Sequence, residues 1–234
     1  MTIKEEIALE TVRSVNEPLS VVFNEDCMEG MKRYPEKYFD LAVVDPPYGI
    51  GRDKGFGGSR GFNGRGNPIT SRKYQSEWDS TIPPKEYFDN LLKCSSNTLI
   101  FGGNFFSHLL PSGKHWVVWD KKNTMPTFGD AELIWTNIDR NSVKIYECEW
   151  NGLLGKEKQP RIHPTQKPVK LYEWILLNYA KQGEKILDTH VGSGSSRIAA
   201  YKHGFDYVGF EIDKDYFEAQ EKRFNEFKAQ LTLF

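Results

Sequence analysis

The chain has 234 residues, 38% of them apolar and 14% aromatic, with a formal net charge of −1. This suits one folded α/β domain with a sizeable core and excludes a disordered polyelectrolyte, so any nucleic-acid surface must be a local patch. No apolar run approaches the ~20 residues of a membrane span, the N-terminus carries no cleavage signal, and Cys27, Cys94 and Cys148 form no C-x-x-C pair. A soluble cytoplasmic protein with no metal, no disulfide framework and no membrane partner is therefore expected.

In chain order, residues 1–17 read as one short helix. Residues 19–23 read as a strand ending at Asn24-Glu25-Asp26-Cys27, and 28–34 as a helical turn. Residues 39–44 form a short apolar run, the signature of a buried strand, which enters Asp45-Pro46-Pro47-Tyr48. Two prolines fix φ and remove two donors, yet leave their carbonyls free to accept. A planar ring bearing an amino group could stack on Tyr48 and aim its N–H bonds at the Asp45 carboxylate and the Pro46 carbonyl. Taken alone, the turn reads equally as a Pro-rich corner.

Residues 49–80 are an inserted Gly/Arg-rich loop containing Arg60, Arg65, Arg72 and Lys73. A loop this long is functional or disordered, and its cations suit phosphates. Composition leaves a solvated insertion as an equal reading; the position directly after D-P-P-Y favours a substrate-engaging loop. Regular alternation then resumes: a helix over 84–96, a strand over 97–101 entering Gly102-Gly103-Asn104, a short helix over 105–110 and a strand over 115–119 ending at Asp120-Lys121. Residues 131–138 and 143–150 read as two strands, with a hairpin through Asp139-Arg140-Asn141 as one way to join them, and 136–162 reads as a short variable segment. After His163-Pro164-Thr165-Gln166-Lys167-Pro168 a helix runs over 169–181, with Thr165 as its N-cap and Pro168 in its first turn. A strand over 185–188, a Gly-rich loop over 189–195, a helix over 196–203, a strand over 206–210 and a closing helix over 214–230 complete the chain. Strands alternating with helices imply a mostly parallel sheet covered on both faces.

Asp188-Thr189-His190-Val191-Gly192-Ser193-Gly194-Ser195 has the layout of a nucleotide-binding strand-to-helix turn, whose glycines let backbone approach a ligand. Glu211, 19 residues after Gly192, stands where an acid can accept from ribose hydroxyls. A dinucleotide fingerprint needs a third glycine where Arg197 stands, and Asp188 would repel a pyrophosphate. Charge therefore favours the cationic S-adenosylmethionine, with a ligand-free tight turn as the plain alternative.

Combined, the Gly-rich loop and D-P-P-Y resemble the amino-group DNA methyltransferases. Their order, D-P-P-Y first and the Gly loop last, resembles the β group of these enzymes. So do Asn24-Glu25-Asp26-Cys27, Phe101-Gly102-Gly103-Asn104 and Trp119-Asp120-Lys121. The resemblance implies a single domain over 1–234 with the class I, Rossmann-like methyltransferase sheet: seven mostly parallel strands, helices on both faces and a circularly permuted motif order. It implies catalysis by Asp45, Pro46, Pro47 and Tyr48. For S-adenosylmethionine it implies Asp26 at the adenine, Glu211 at the ribose, and Asp188, Gly192 and Gly194 at the methionine moiety, with Cys27, Ser195 and Ile212 also in the cofactor-binding set. The Thr165-Gln166-Lys167 turn would hold the methionine carboxylate, as helix N–H groups suit an anion. His190 and Thr189 replace a common Phe and Pro, so His190 joins the cofactor set with its role open.

The implied reaction is methyl transfer to the N6 of an adenine flipped out of double-stranded DNA, with the 49–80 loop as DNA-binding, target-recognition element and Arg60, Arg65, Arg72, Lys73 and Lys121 as candidates for phosphate contacts or for filling the gap the base leaves. Asp in the first position of D-P-P-Y resembles adenine-N6 enzymes more than cytosine-N4 enzymes. Cytosine-N4 and RNA adenine methylation remain alternatives, with a non-catalytic nucleic-acid-binding protein more distant. The oligomeric state stays open between a monomer and a homodimer.

Overall fold

A computed structural model describes residues 17–51, 79–122, 129–150 and 162–231. The expected helix before residue 17, most of the 49–80 loop, and with it Arg60, Arg65, Arg72 and Lys73, lie outside the described residues. Among the described residues, eight strands make one sheet in the order β1 (Ser20–Phe23), β8 (Asp206–Phe210), β7 (Lys185–Asp188), β2 (Phe39–Val44), β3 (Ser95–Phe101), β5 (Ala131–Thr136), β4 (Trp116–Asp120), β6 (Val143–Glu147). All neighbours pair in parallel except at β5, which runs antiparallel to β3 and β4.

Five helices among the described residues cover the sheet: α1 (Cys27–Met31), α2 (Lys85–Cys94), α3 (Val169–Tyr179), α4 (Ser195–Lys202) and α5 (Lys214–Leu231). β2 shows why its sequence is apolar from Leu41 to Val44. Leu41 and Val43 pack into one core with Leu171, Ile175, Ile198 and Phe224, while Ala42 and Val44 pack into another with Met31, Tyr87, Phe88 and Leu91. Successive side chains of a strand alternate faces, so a strand covered on both faces has no polar set. α3, α4 and α5 thus lie on one face and α1 and α2 on the other.

The fold corrects several expectations. Among the described residues the sheet has eight strands, one for each strand read along the chain, instead of the seven that the resemblance implies. The hairpin through 139–141 does not form. Both edges of β5 are taken by β3 and β4, so the chain crosses to the outer edge of β4 and pairs there in parallel, Val117 opposite Lys144. Residues 105–110 form turns, not a helix. α2 stops at Cys94 because Ser95 enters β3, where it pairs with Phe39, while its hydroxyl donates to the Leu91 carbonyl at 2.6 Å. Thr165 is not the N-cap of α3. The helix starts at Val169 with Pro168 in the cap position, and the Thr165 hydroxyl lies 3.1 Å from His163 Nδ1. The residue before a proline is pushed toward extended backbone, so Lys167 cannot continue the helix.

Because the strands other than β5 share one direction, their carboxyl ends gather at one edge of the sheet. β2 and β7 are neighbours there, Leu41 opposite Ile186. From β2 the chain goes on to β3 on one side, and from β7 to β8 on the other. That reversal opens a crevice at the strand ends, the place where open α/β sheets hold ligands.

Candidate active site

A cleft of about 490 Å³ occupies this crevice, with Asp45–Tyr48 on one wall and His190–Ser193 and Glu211–Asp213 on the other. Residues 163–167 bridge the two.

On the first wall, the two prolines leave Tyr48 and Gly49 as the first backbone donors after Asp45. Asp79, 1% exposed, takes both: its Oδ1 accepts from Tyr48 N at 2.7 Å and from Gly49 N at 2.9 Å. Gly51 N donates to the Asp79 carbonyl at 3.0 Å, so the two ends of the Gly/Arg-rich insertion are tied together beneath D-P-P-Y. The Tyr48 ring is backed by Gly102, at φ +66°, where a Cβ would sit 2.4 Å from the ring. Phe105 stacks on Tyr48, with centroids 4.9 Å apart and planes 15° from parallel.

An ionic cluster surrounds the Tyr48 hydroxyl, which lies 2.6 Å from Asp45 Oδ1 and also 2.6 Å from Glu132 Oε1. Lys167 Nζ donates to Asp45 Oδ2 and is 3.4 Å from Glu132 Oε1, while Lys121 Nζ is 3.2 Å from Glu132 Oε2. Burial pushes the Asp45 carboxyl up; Lys167 opposes and the negative Glu132 adds to the push. Burial acts upward on Glu132 too, but the Lys167 and Lys121 ammonium groups outweigh it and hold its carboxyl at about 2. Burial acts downward on Lys167, yet the two carboxylates keep it charged. Glu132 sits second in β5, opposite Trp119 of β4. It reaches the cluster only because β5 runs backwards, which puts its start beside the other strands' ends.

On the second wall, Gly192 (φ +52°) and Gly194 (φ +72°) take left-handed backbone that other residues rarely adopt. Glu211 accepts from Gly192 N at 2.8 Å and Asp213 N at 2.9 Å, one bond to each oxygen. Each oxygen keeps further acceptor capacity. Burial pushes Glu211 up to about 7 and Asp188 up to about 6. Burial pushes His190 down to about 4, which leaves it a neutral imidazole whose Nδ1 lies 2.9 Å from the Thr189 hydroxyl.

The structure therefore brings Asp45, Pro46, Pro47, Tyr48, Lys121, Thr165, Gln166, Lys167, His190, Gly192, Glu211 and Ile212 to one cleft. Five expected cofactor residues do not line it. Asp26 caps α1, accepting from Met28 N at 2.8 Å, beside Cys27. Asp188 is spent inside the loop on His190 N at 3.0 Å and the Ser196 hydroxyl at 2.6 Å. Gly194 precedes α4 against Gln220, and the Ser195 hydroxyl lies 3.0 Å from Arg223 Nη1. Lys121 is aimed at Glu132 within the site. The residues missed from sequence are Asp79, Glu132, His163 and Tyr216. The ring of His163 packs edge-on to Tyr216 at 4.4 Å beside Gly192. Tyr216 begins the buried stripe of α5 that continues with Gln220, Arg223 and Phe224, a spacing legible in the sequence, whereas Asp79 and Glu132 carry no local signal.

Residues 114–222 match the family model described as DNA methylase. The type II methyltransferase M.HinfI of Haemophilus influenzae is 24% identical over 261 residues, covering 92% of this chain and 71% of its own. Type II methyltransferase M2.DpnII of Streptococcus pneumoniae is 24% identical over 250 residues, covering 89% and 90%. Among solved structures, the M1.HpyAVI–SAM complex superposes with a TM-score of 0.55 at 21% identity, covering 87% of this chain and 98% of that one. The PvuII DNA methyltransferase, cytosine-N4-specific, superposes at 0.58 with 13% identity, covering 91% and 90%. At these identities the two superpositions establish a shared fold, the class I methyltransferase sheet.

Proposed function

We propose that this chain is a DNA methyltransferase of the N6/N4 amino-methyltransferase family and that it transfers a methyl group from S-adenosylmethionine to the N6 of an adenine flipped out of double-stranded DNA. The observation that carries the reading is the cleft that joins the D-P-P-Y turn to the Gly-rich loop and Glu211.

The second wall fits the donor. Glu211 offers spare acceptor capacity for a ribose diol, and the left-handed Gly192 leaves no side chain between loop and ligand. S-adenosylmethionine, when bound, supplies an electrophilic methyl group. The rest falls to the chain. Asp45 and the Pro46 carbonyl accept the two N–H bonds of the base's amino group, which drives its nitrogen toward pyramidal geometry and frees its lone pair. Tyr48 holds the ring by stacking, worth ~1–3 kcal/mol by analogy with other base–aromatic contacts. Asp45 then takes the proton that the methylated nitrogen sheds. Catalysis is positioning and electrostatics.

Adenine is favoured by the Asp in the first position of D-P-P-Y, the feature in which the turn resembles adenine-N6 enzymes. Cytosine-N4 methylation is the second reading, favoured by the fold shared with a cytosine-N4-specific enzyme. The test is incubation with labelled S-adenosylmethionine and unmethylated genomic DNA, then nucleoside analysis. N6-methyladenine is the expected product, N4-methylcytosine would install the second reading, and an unlabelled polymer would overturn both. Asp45→Ala should lower the rate by at least about a thousandfold while donor binding survives.

A further inference from the structure

Glu132 belongs to no recognised motif of the chain, yet it sits at the centre of the ionic cluster, its side chain 12% exposed. Asp45 has two oxygens, and here both are taken: Oδ1 by the Tyr48 hydroxyl and Oδ2 by the Lys167 ammonium. Each oxygen keeps further acceptor capacity, but the two partners fix the direction in which the carboxylate and its charge are turned. Each of its two partners has a second acceptor within reach, and in both cases it is Glu132 Oε1, 2.6 Å from Tyr48 Oη and 3.4 Å from Lys167 Nζ. Tyrosine has one hydroxyl proton and serves one carboxylate at a time. Lys121, 3.2 Å away on the other oxygen, anchors Glu132 from the opposite side.

We propose that Glu132 is a positioning residue of the methyl-transfer site: it draws the Tyr48 hydroxyl and the Lys167 ammonium off Asp45, so that the Asp45 carboxylate turns to the amino group of the incoming base. The inference rests on the reading of function above. It also explains an otherwise unfavourable arrangement, two carboxylates sharing one hydroxyl. With Glu132 present the Lys167 charge is divided; without it Lys167 pairs with Asp45 alone and holds it. The groups that act on Asp45 are Tyr48 from its own turn, Glu132 from β5, Lys167 from the turn before α3, and at longer range Asp188 and Tyr172. Among the carboxylates of this set, Glu132 is the one that touches both partners of Asp45.

The test compares wild type, Glu132→Gln and Glu132→Asp. Single-turnover methyl transfer to unmethylated genomic DNA is followed against pH, and S-adenosylmethionine binding is measured alongside. Glu132→Gln should lower the transfer rate about tenfold or more with donor affinity within about threefold. Its acid limb should move to lower pH, because the negative neighbour that holds Asp45 up is gone. Glu132→Asp should restore the acid limb toward wild type. A wild-type rate and acid limb in Glu132→Gln overturn the proposal, as does a loss that lies wholly in donor affinity. A second readout needs no substrate: the Asp45 carboxyl, followed by carbon NMR, should titrate lower in Glu132→Gln, and an unchanged titration also overturns the proposal. A wild type that transfers no methyl group while that carboxyl still shifts overturns the reading of function and leaves the coupling standing.

Discussion

At the scale of single residues, the carboxylates around the cleft differ in what they are spent on. Asp79 satisfies two backbone donors beneath Tyr48, and a buried donor left unpaired costs ~1–3 kcal/mol. Asp79→Ala should therefore lower thermal stability by a few kcal/mol and loosen D-P-P-Y, with Asp79→Asn recovering part of the loss, both readable by calorimetry. Glu211 has the opposite character. Burial holds it at about 7 in the folded chain, above the ~4.3 of an unfolded glutamate. The stability from its neutral form is complete below ~4.3 and is lost as pH rises to ~7. His190, pushed down to about 4, works in reverse, losing stability as pH falls from ~6.5. The two oppose each other over most of that range, so the comparison must be with a variant. Relative to Glu211→Gln, the donor-free wild type should lose stability between about pH 5 and 7. A constant difference in melting temperature would show that Glu211 does not titrate there.

At the scale of elements, the turn after β3 shapes the acceptor wall as firmly as D-P-P-Y does. Gly102 combines positive φ with close packing against the Tyr48 ring, so Gly102→Ala meets backbone strain and a clash at once. The variant should keep its far-ultraviolet dichroism and lose methyl transfer by about tenfold or more, since Tyr48 must move to admit the methyl group. A fully active variant would mean that Tyr48 need not hold this position. β5 has the other controlling role. Among the described residues β5 is the one antiparallel strand of the sheet, and this brings Glu132 from the start of its strand to the same edge as Asp45, which follows β2.

At the scale of the whole molecule, a net charge of −1 leaves DNA attraction to local cations. Lys121 and Lys167 are both engaged by carboxylates inside the cleft. The insertion's Arg60, Arg65, Arg72 and Lys73 are then the first candidates for binding phosphates, and the three arginines make the test. Replacing all three by Gln should weaken DNA binding and flatten its salt dependence, by ~0.9 in log–log slope for each phosphate the chain no longer neutralises. An unchanged slope would remove the insertion from the DNA interface. Donor binding should be indifferent to these substitutions.

The sequence alone determined the strand-helix alternation, the D-P-P-Y turn, the Gly-rich loop and Glu211, because each rests on short-range chemistry: burial periodicity, proline geometry and left-handed glycine. It also marked the ends of β2 and β7 as candidate-site positions, since both are apolar runs closing on an acid. Only the tertiary structure decided that 143–147 joins β4 in place of a hairpin, because strand pairing depends on which edges remain free. Only it separated Asp26 and Asp188, which serve a cap and a loop, from Asp45 and Glu211, which face the cleft. And only it brought Asp79 and Glu132 to Tyr48, from 31 and 84 residues away. An acid in a variable stretch has no local mark of its partner, and the partner is fixed by the direction of one strand.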